Sequence, residues 1–158
     1  MLDKRPDGYH DIKSVMQTVS LRDDVEIDVD TGKPGPRILV LGELDALYCE
    51  THPEAVEGVA HACGHNAQCA SLLGFAAALK EPGALDGLCG SIRLMAVPAE
   101  ELIEIEFRED LRKQGIIQYF GGKVEFMARG YFDGCDLAYM LHTSGGTEAD
   151  FICRKGSN

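Results

Sequence analysis

Ser91-Ile92-Arg93-Leu94-Met95-Ala96-Val97-Pro98-Ala99-Glu100-Glu101 is the stretch on which the fold turns. Residues 91–97 form a short, mostly apolar run, and its length and composition predict a buried strand. Pro98 cannot donate to a sheet ladder, so the strand ends there. Two carboxylates follow at once.

Upstream, Asn66 to Lys80 is rich in Ala and Leu and is stopped by Pro82-Gly83, which predicts a helix. Before it, Ile38-Leu39-Val40-Leu41 predicts another buried strand. That strand ends at Gly42-Glu43-Leu44-Asp45, and a loop rich in Glu, His and Pro follows. Val25-Glu26-Ile27-Asp28-Val29-Asp30 alternates apolar and acidic side chains, the period of a half-buried strand. Thr31 to Pro36 is turn material and a candidate junction between a segment 1–34 and a domain 36–158. Downstream, Ile103 to Gln114 predicts a charged amphipathic helix closed by Gly115, with a solvated acidic face from Glu104 to Asp110. Lys123 to Arg129 predicts a second short helix, and Asp136 to Leu141 a third apolar strand ending at His142. Strands alternating with helices make an α/β domain, a sheet flanked by helices.

The 158 residues, 45% hydrophobic and 26% charged, suffice for one soluble domain with a core. The net charge of −11 argues against nucleic acid and against an anionic membrane surface as partners. No apolar run reaches the length of a membrane span, and Met1 to Pro6 lacks the apolar core of a signal peptide, so a cytoplasmic location is expected. With no secretion signal, the six cysteines are expected as free, mostly buried thiols rather than disulfides. Cys63 is the exception.

Cys63 and His65 immediately precede the long helix, Glu100 and Glu101 follow one strand, His142 closes another, and Asp45 follows the first. Open α/β sheets place their ligand sites along the edge where such strands end. Thiolate, imidazole and carboxylate together suit zinc, with cobalt, manganese or nickel as alternatives. Adjacent glutamates can divide the labour, one holding metal while the other moves the proton of an attacking water. Such sites use one ion, or two about 3.5–4 Å apart.

His61-Ala62-Cys63-Gly64-His65-Asn66, Val97-Pro98-Ala99-Glu100-Glu101, Met140-Leu141-His142 and Gly42-Glu43-Leu44-Asp45-Ala46-Leu47 resemble motifs of the M20 family of metallopeptidases and amidohydrolases. The nearest branch contains the N-acyl-amino-acid, indole-acetyl-amino-acid and aminobenzoyl-glutamate hydrolases. The resemblance covers residues 36–158 in the expected order. It implies a zinc-peptidase-like sheet, a divalent metal cofactor and a small-molecule amide substrate. It implies Cys63, His65, Glu101 and His142 as metal ligands, Glu100 as general base, and Asp45 as an acid supporting the site. Gln68 stands where many members have a further His, a departure expected to alter substrate contacts.

Members of the family run to several hundred residues, inserting a lid and dimerisation domain before a last His ligand. The resemblance therefore implies an incomplete catalytic domain, one ligand short, and a homo-oligomer if an exposed sheet edge is to be covered. Residues 2–30, with Lys4 to His10 and Met16 to Leu21, instead resemble the N-terminus of diphosphocytidyl-methylerythritol kinase, a GHMP-type kinase whose cytidine-contacting pair would match Tyr9 and His10. That kinase's phosphate loop is missing, which speaks against kinase activity. The alternatives to a hydrolase are thus an inactive truncated or chimeric remnant and a kinase fragment.

Overall fold

The computed structural model describes residues 26–53 and 55–143; Tyr9, His10 and Cys153 lie outside them. The elements are β1 (Glu26–Asp30), β2 (Arg37–Glu43), β3 (Leu47–Tyr48), β4 (Val59–Ala60), α1 (His65–Ala78), β5 (Ser91–Val97), α2 (Ile105–Lys113), α3 (Gly122–Ala128) and β6 (Leu137–Met140). Every strand and helix expected from periodicity is present within two residues of its expected start, but the loop after β2 hides a small β3–β4 hairpin. Two-residue strands carry no periodic signal, so composition alone reads them as loop.

The main sheet has the order β1-β5-β2-β6. β2 runs parallel to both β5 and β6, whereas β1 lies antiparallel on the far side of β5. β1 precedes the turn at 31–36 yet pairs into this sheet. The turn itself is stitched to the approach of β5, with Thr31 N–H donating to Gly90 O at 3.1 Å and Gly90 N–H to Lys33 O at 2.9 Å.

Alternation along the strands decides what lies on each face. Leu39, Leu41, Met95 and Val97 pack with Phe126 of α3, and Tyr131, Phe132 and Cys135 close the margin. Ile38, Val40 and Ile92 face α1 instead, across an apolar groove of about 620 Å³ lined by Leu72, Phe75 and Tyr139 among others. Helices therefore cover both faces, the α3 side tightly and the α1 side loosely. Among the described residues no helix is long and apolar enough to cross a membrane.

The cysteines correct one expectation. All five described thiols are free, but none is fully buried, and Cys89 is exposed. They sit in loops, on α1 and at the sheet margins, while the described core is filled by Leu, Met, Val and Phe.

α3 is anchored by one buried acid. Glu125 accepts N–H bonds from Gln118 at 2.8 Å and Tyr119 at 2.9 Å, and a 2.6 Å bond from Arg129 Nε. Burial alone would raise its pKa, but these bonds and the Arg129 charge outweigh it and hold the carboxyl below the ordinary range. A depressed folded pKa means that this stability is complete above the unfolded value and is lost as pH falls through the folded one. Glu125→Gln is expected to destabilise the fold at neutral pH by about 2 kcal/mol. The gap to the parent should narrow under acid, as read by urea unfolding across a pH series; a gap constant with pH would contradict the assignment.

Candidate metal centre

Three parallel strands end at one edge, and the side chains that follow them converge there. Glu43 is the last residue of β2, level with Val97 at the end of β5. Glu100 and Glu101 leave β5, His142 leaves β6, and Cys63 and His65 stand at the start of α1. Ligand atoms of Cys63, His65 and Glu101 lie within 4.8 Å of one another, and so do those of Glu43, His65 and Glu100. His142 Nε2 is 3.6 Å from Cys63 Sγ. Five residues expected from the sequence, Cys63, His65, Glu100, Glu101 and His142, are thus brought together, and the sixth, Asp45, joins them through His65.

His65, only 1% exposed, is the hub. Its Nδ1 faces the Asp45 carbonyl oxygen at 2.7 Å, an atom that can only accept, so Nδ1 carries a proton and Nε2 is the nitrogen turned toward the acids. Nε2 looks toward Glu43 Oε2 at 3.0 Å and toward Glu100 Oε2 and Glu101 Oε1, each at 3.9 Å, without making a hydrogen bond. Three carboxylates crowded on one ring nitrogen call for a positive charge between them. Glu101 Oε1 and Asp45 Oδ1 are likewise buried without a hydrogen-bond partner. His65 Nε2 and Glu101 Oε1, buried polar atoms without partners in one cluster, are a cost that a divalent cation would relieve. The donor set of thiol, imidazole and carboxylate fits such an ion. Asp45 also accepts the Glu101 N–H through Oδ2 at 2.8 Å, so one acid orients both His65 and the Glu101 backbone.

Cys63 is held as a thiol. Burial is the first cause that pushes its pKa up, followed by its bond to Glu101 and the negative charges of Glu101, Glu100 and Glu43. His142 donates from Nδ1 to the Thr143 carbonyl at 2.7 Å, which turns its Nε2 toward Cys63 Sγ at 3.6 Å. With the thiol proton lost, the same pair would offer a sulfur and a nitrogen to a metal ion.

Three residues of the site, Glu43, Lys123 and Arg108, escape the sequence reading, and a fourth, Gln68, is noted there only as a departure from the family. Glu43, 1% exposed, reads in sequence as part of a turn after β2, but the strand runs on to include it. An acid directly after an apolar run is the same signal that singles out Glu100 and Glu101. Gln68, 2% exposed, is bound to Glu43: it donates to Glu43 Oε2 at 3.0 Å and accepts the Glu43 N–H at 2.8 Å. Lys123 bonds both Glu43 and Glu100, the latter at 3.2 Å. Arg108 sits on the acidic helix that reads as solvated, yet it is buried. Its guanidinium donates to the carbonyls of Ala99 (3.2 Å), Phe120 (2.8 Å) and Glu101, pinning the loop that carries the acid pair. Ala99 and Glu104, both with positive φ, bracket that loop, a strain that the Arg108 bonds help to hold.

Gly64 links Cys63 to His65. Its φ of 87° is in the left-handed region, and a Cβ there would collide with Thr143 Oγ1. Gly64→Ala must therefore displace either the start of α1 or the strand exit carrying His142. It is expected to weaken metal binding by about 10–100-fold, as partners behind a ligand do. Gly74→Ala, on the open face of α1 with nothing within 4 Å, is the control that should leave metal binding unchanged. Calorimetric titration with Zn²⁺ compares the two.

A family model described as peptidase family M20/M25/M40 matches residues 39–152. N-acetyl-L-cysteine deacetylase of Bacillus subtilis is 37% identical over 132 residues, covering 80% of this chain and 27% of that protein. The structure of a dinuclear metal-binding peptidase of family M20, also from Bacillus subtilis, superposes with a TM-score of 0.60 at 23% identity. That match covers 83% of this chain and 33% of the other, and at this identity it is a likeness of fold. Separately, 4-diphosphocytidyl-2-C-methyl-D-erythritol kinase of Geobacter sulfurreducens is 46% identical over 39 residues, 25% of this chain and 14% of that protein. The chain spans 27% and 29% of the length of the first two curated relatives it matches, under a third in each case.

Proposed function

This chain belongs to peptidase family M20/M25/M40, and from that premise we propose that its site serves the metal-dependent hydrolysis of an amide bond in an N-acyl amino acid or a small peptide-like substrate. The observation that carries the proposal is the convergence of Cys63, His65 and Glu101 on one point, with orphaned buried polar atoms on His65 and Glu101 and with Glu100 alongside. The substrate class is supported by two relatives, the N-acetyl-L-cysteine deacetylase and a p-aminobenzoyl-glutamate hydrolase of Escherichia coli.

Cys63, His65, Glu101 and His142 would hold the ion, with zinc the best fit to a thiolate-containing set and manganese, cobalt or nickel as alternatives. When bound, the ion supplies Lewis acidity toward the amide carbonyl. Glu100 takes the proton of the attacking water and returns it to the leaving amine nitrogen. Asp45 keeps the proton of His65 on Nδ1, so that Nε2 stays available as a ligand. The partners proposed are a small amide substrate and a second copy of the chain at the open β6 edge, with no nucleic acid or membrane, in the cytoplasm. The division into 1–34 and 36–158 is proposed as one of sequence ancestry, since β1 bonds across it.

A second reading is a metal-binding but catalytically silent remnant. Amine release from N-acetyl amino acids, measured with the chain saturated in turn with Zn²⁺, Mn²⁺ and Co²⁺, separates the two. Turnover supports the hydrolase; bound metal without turnover supports the remnant; absence of bound metal contradicts both.

A further inference from the structure

We propose that Lys123 is a positioning residue for Glu100: its ammonium, anchored on the buried Glu43 carboxylate, grips one oxygen of the general base and leaves the other turned into the centre. The proposal rests on the hydrolase reading above and deepens it.

The contacts form a chain that starts in the interior and ends at the base. Gln68 on α1 accepts the Glu43 N–H at 2.8 Å and donates to Glu43 Oε2 at 3.0 Å. Glu43, 1% exposed, is thereby fixed at the end of β2 through its backbone and its carboxyl together. Its other oxygen, Oε1, accepts from Lys123 Nζ, and the same Nζ donates to Glu100 Oε1 at 3.2 Å. Glu100 Oε2 is left 3.9 Å from His65 Nε2, beside the imidazole that Cys63 and Glu101 also approach. Neutralising Glu43 needs only the first of the two lysine bonds. The second carries the rigidity of the interior out to Glu100, and a base that takes a proton from water works only from a defined position. Among the described residues, Lys123 is the one that hydrogen-bonds the Glu100 carboxyl.

The position of Lys123 is itself fixed by the fold. It is the second residue of α3, and the first, Gly122, lies so close to the exit of β5 that a Cβ there would collide with Pro98 O. Gly122 N–H donates to Ala99 O at 3.0 Å, which ties the start of α3 to the loop carrying Glu100. From that fixed point the side chain reaches both acids, with Met140 Sδ at 3.9 Å from Nζ. Burial alone would lower the lysine pKa, but the bonds to Glu43 and Glu100 and their charges outweigh it and raise it above the ordinary range, so the ammonium is kept.

The test is steady-state turnover of N-acetyl amino acids by the full chain loaded with Zn²⁺, with bound metal measured alongside. Lys123→Met, which keeps most of the stem and removes the charge, is expected to lower kcat by about 10–100-fold, with KM and bound metal unchanged. Lys123→Arg, which can still bridge two carboxylates, should recover most of that loss. In a Glu100→Gln background, Lys123→Met should cost nothing further, since the group it positions is already gone. A merely structural lysine would cost the same in both backgrounds. Lys123→Met strands the buried Glu43 charge, so the double variant Glu43→Gln/Lys123→Met accompanies it and should show the same kcat loss without that burden. On the metal-free chain, the ¹⁵N resonance of Lys123 Nζ, assigned by its absence from Lys123→Met, is expected to shift in Glu100→Gln. Unchanged kcat in a folded variant lacking Lys123, equal losses in both backgrounds, metal lost along with turnover, or an unmoved resonance would overturn the proposal and leave the hydrolase reading standing. No turnover by the unaltered, metal-loaded chain would overturn that reading, and this proposal with it.

Discussion

His65→Ala is expected to abolish stoichiometric metal binding, with an affinity loss of more than about 100-fold, since even groups standing behind a metal ligand are worth about 10–100-fold. The size follows from the position of the imidazole. Its Nε2 lies within reach of every carboxylate of the centre except Asp45, which grips its other nitrogen. No other described imidazole is buried at this point, because His142, the other imidazole of the edge, is exposed. Removal also leaves the buried Glu43 beside Glu100 and Glu101 with one fewer polar neighbour. His65→Gln, closer in volume, therefore accompanies it, and thermal unfolding of each chain without metal separates a lost ligand from a lost fold. Tight, stoichiometric Zn²⁺ binding by either folded variant would contradict the role given to His65.

Glu100→Gln is expected to split binding from chemistry. The amide keeps the size of the side chain and an oxygen to accept from Lys123, now 3.2 Å from Glu100 Oε1. Metal affinity should therefore change little, because Glu101 and not Glu100 shares the cluster with Cys63. What is lost is the base. Turnover should fall by about 10²–10⁴-fold, the usual worth of a positioned proton carrier, through kcat rather than KM. The matching variant Glu101→Gln should do the reverse, weakening metal first. Equal loss of metal in both, or unchanged turnover in Glu100→Gln, would remove the division of labour between the two acids.

Much of this centre is legible in the residues themselves. Apolar runs at 38–41 and 91–97 and the Ala-rich stretch at 66–80 have strong enough periodicity or composition to place β2, β5 and α1, and the polar groups just past the strands mark the edge. Physical reasons explain what stays hidden. Glu43 looks like part of a turn because acids are rarely buried, and the Lys123 and Gln68 that make its burial tolerable are distant in sequence. Arg108 belongs to a helix whose pattern is that of a solvated surface, and only the packing of the loop at 99–101 against it shows three carbonyls awaiting a guanidinium. Lys123 gives no local signal at all, since its role depends on the close approach that Gly122 allows.

The central claim is that Cys63, His65, Glu101 and His142 together hold a divalent ion. Titration of the reduced chain with Co²⁺, read by the thiolate-to-metal charge-transfer absorption, tests it most directly, because the band requires a cysteine sulfur on the ion. Cys63 is the one described cysteine within the cluster. A band that saturates stoichiometrically in the unaltered chain and vanishes in Cys63→Ser is the predicted result. Absence of the band in the unaltered chain, or its persistence in Cys63→Ser, would contradict the claim.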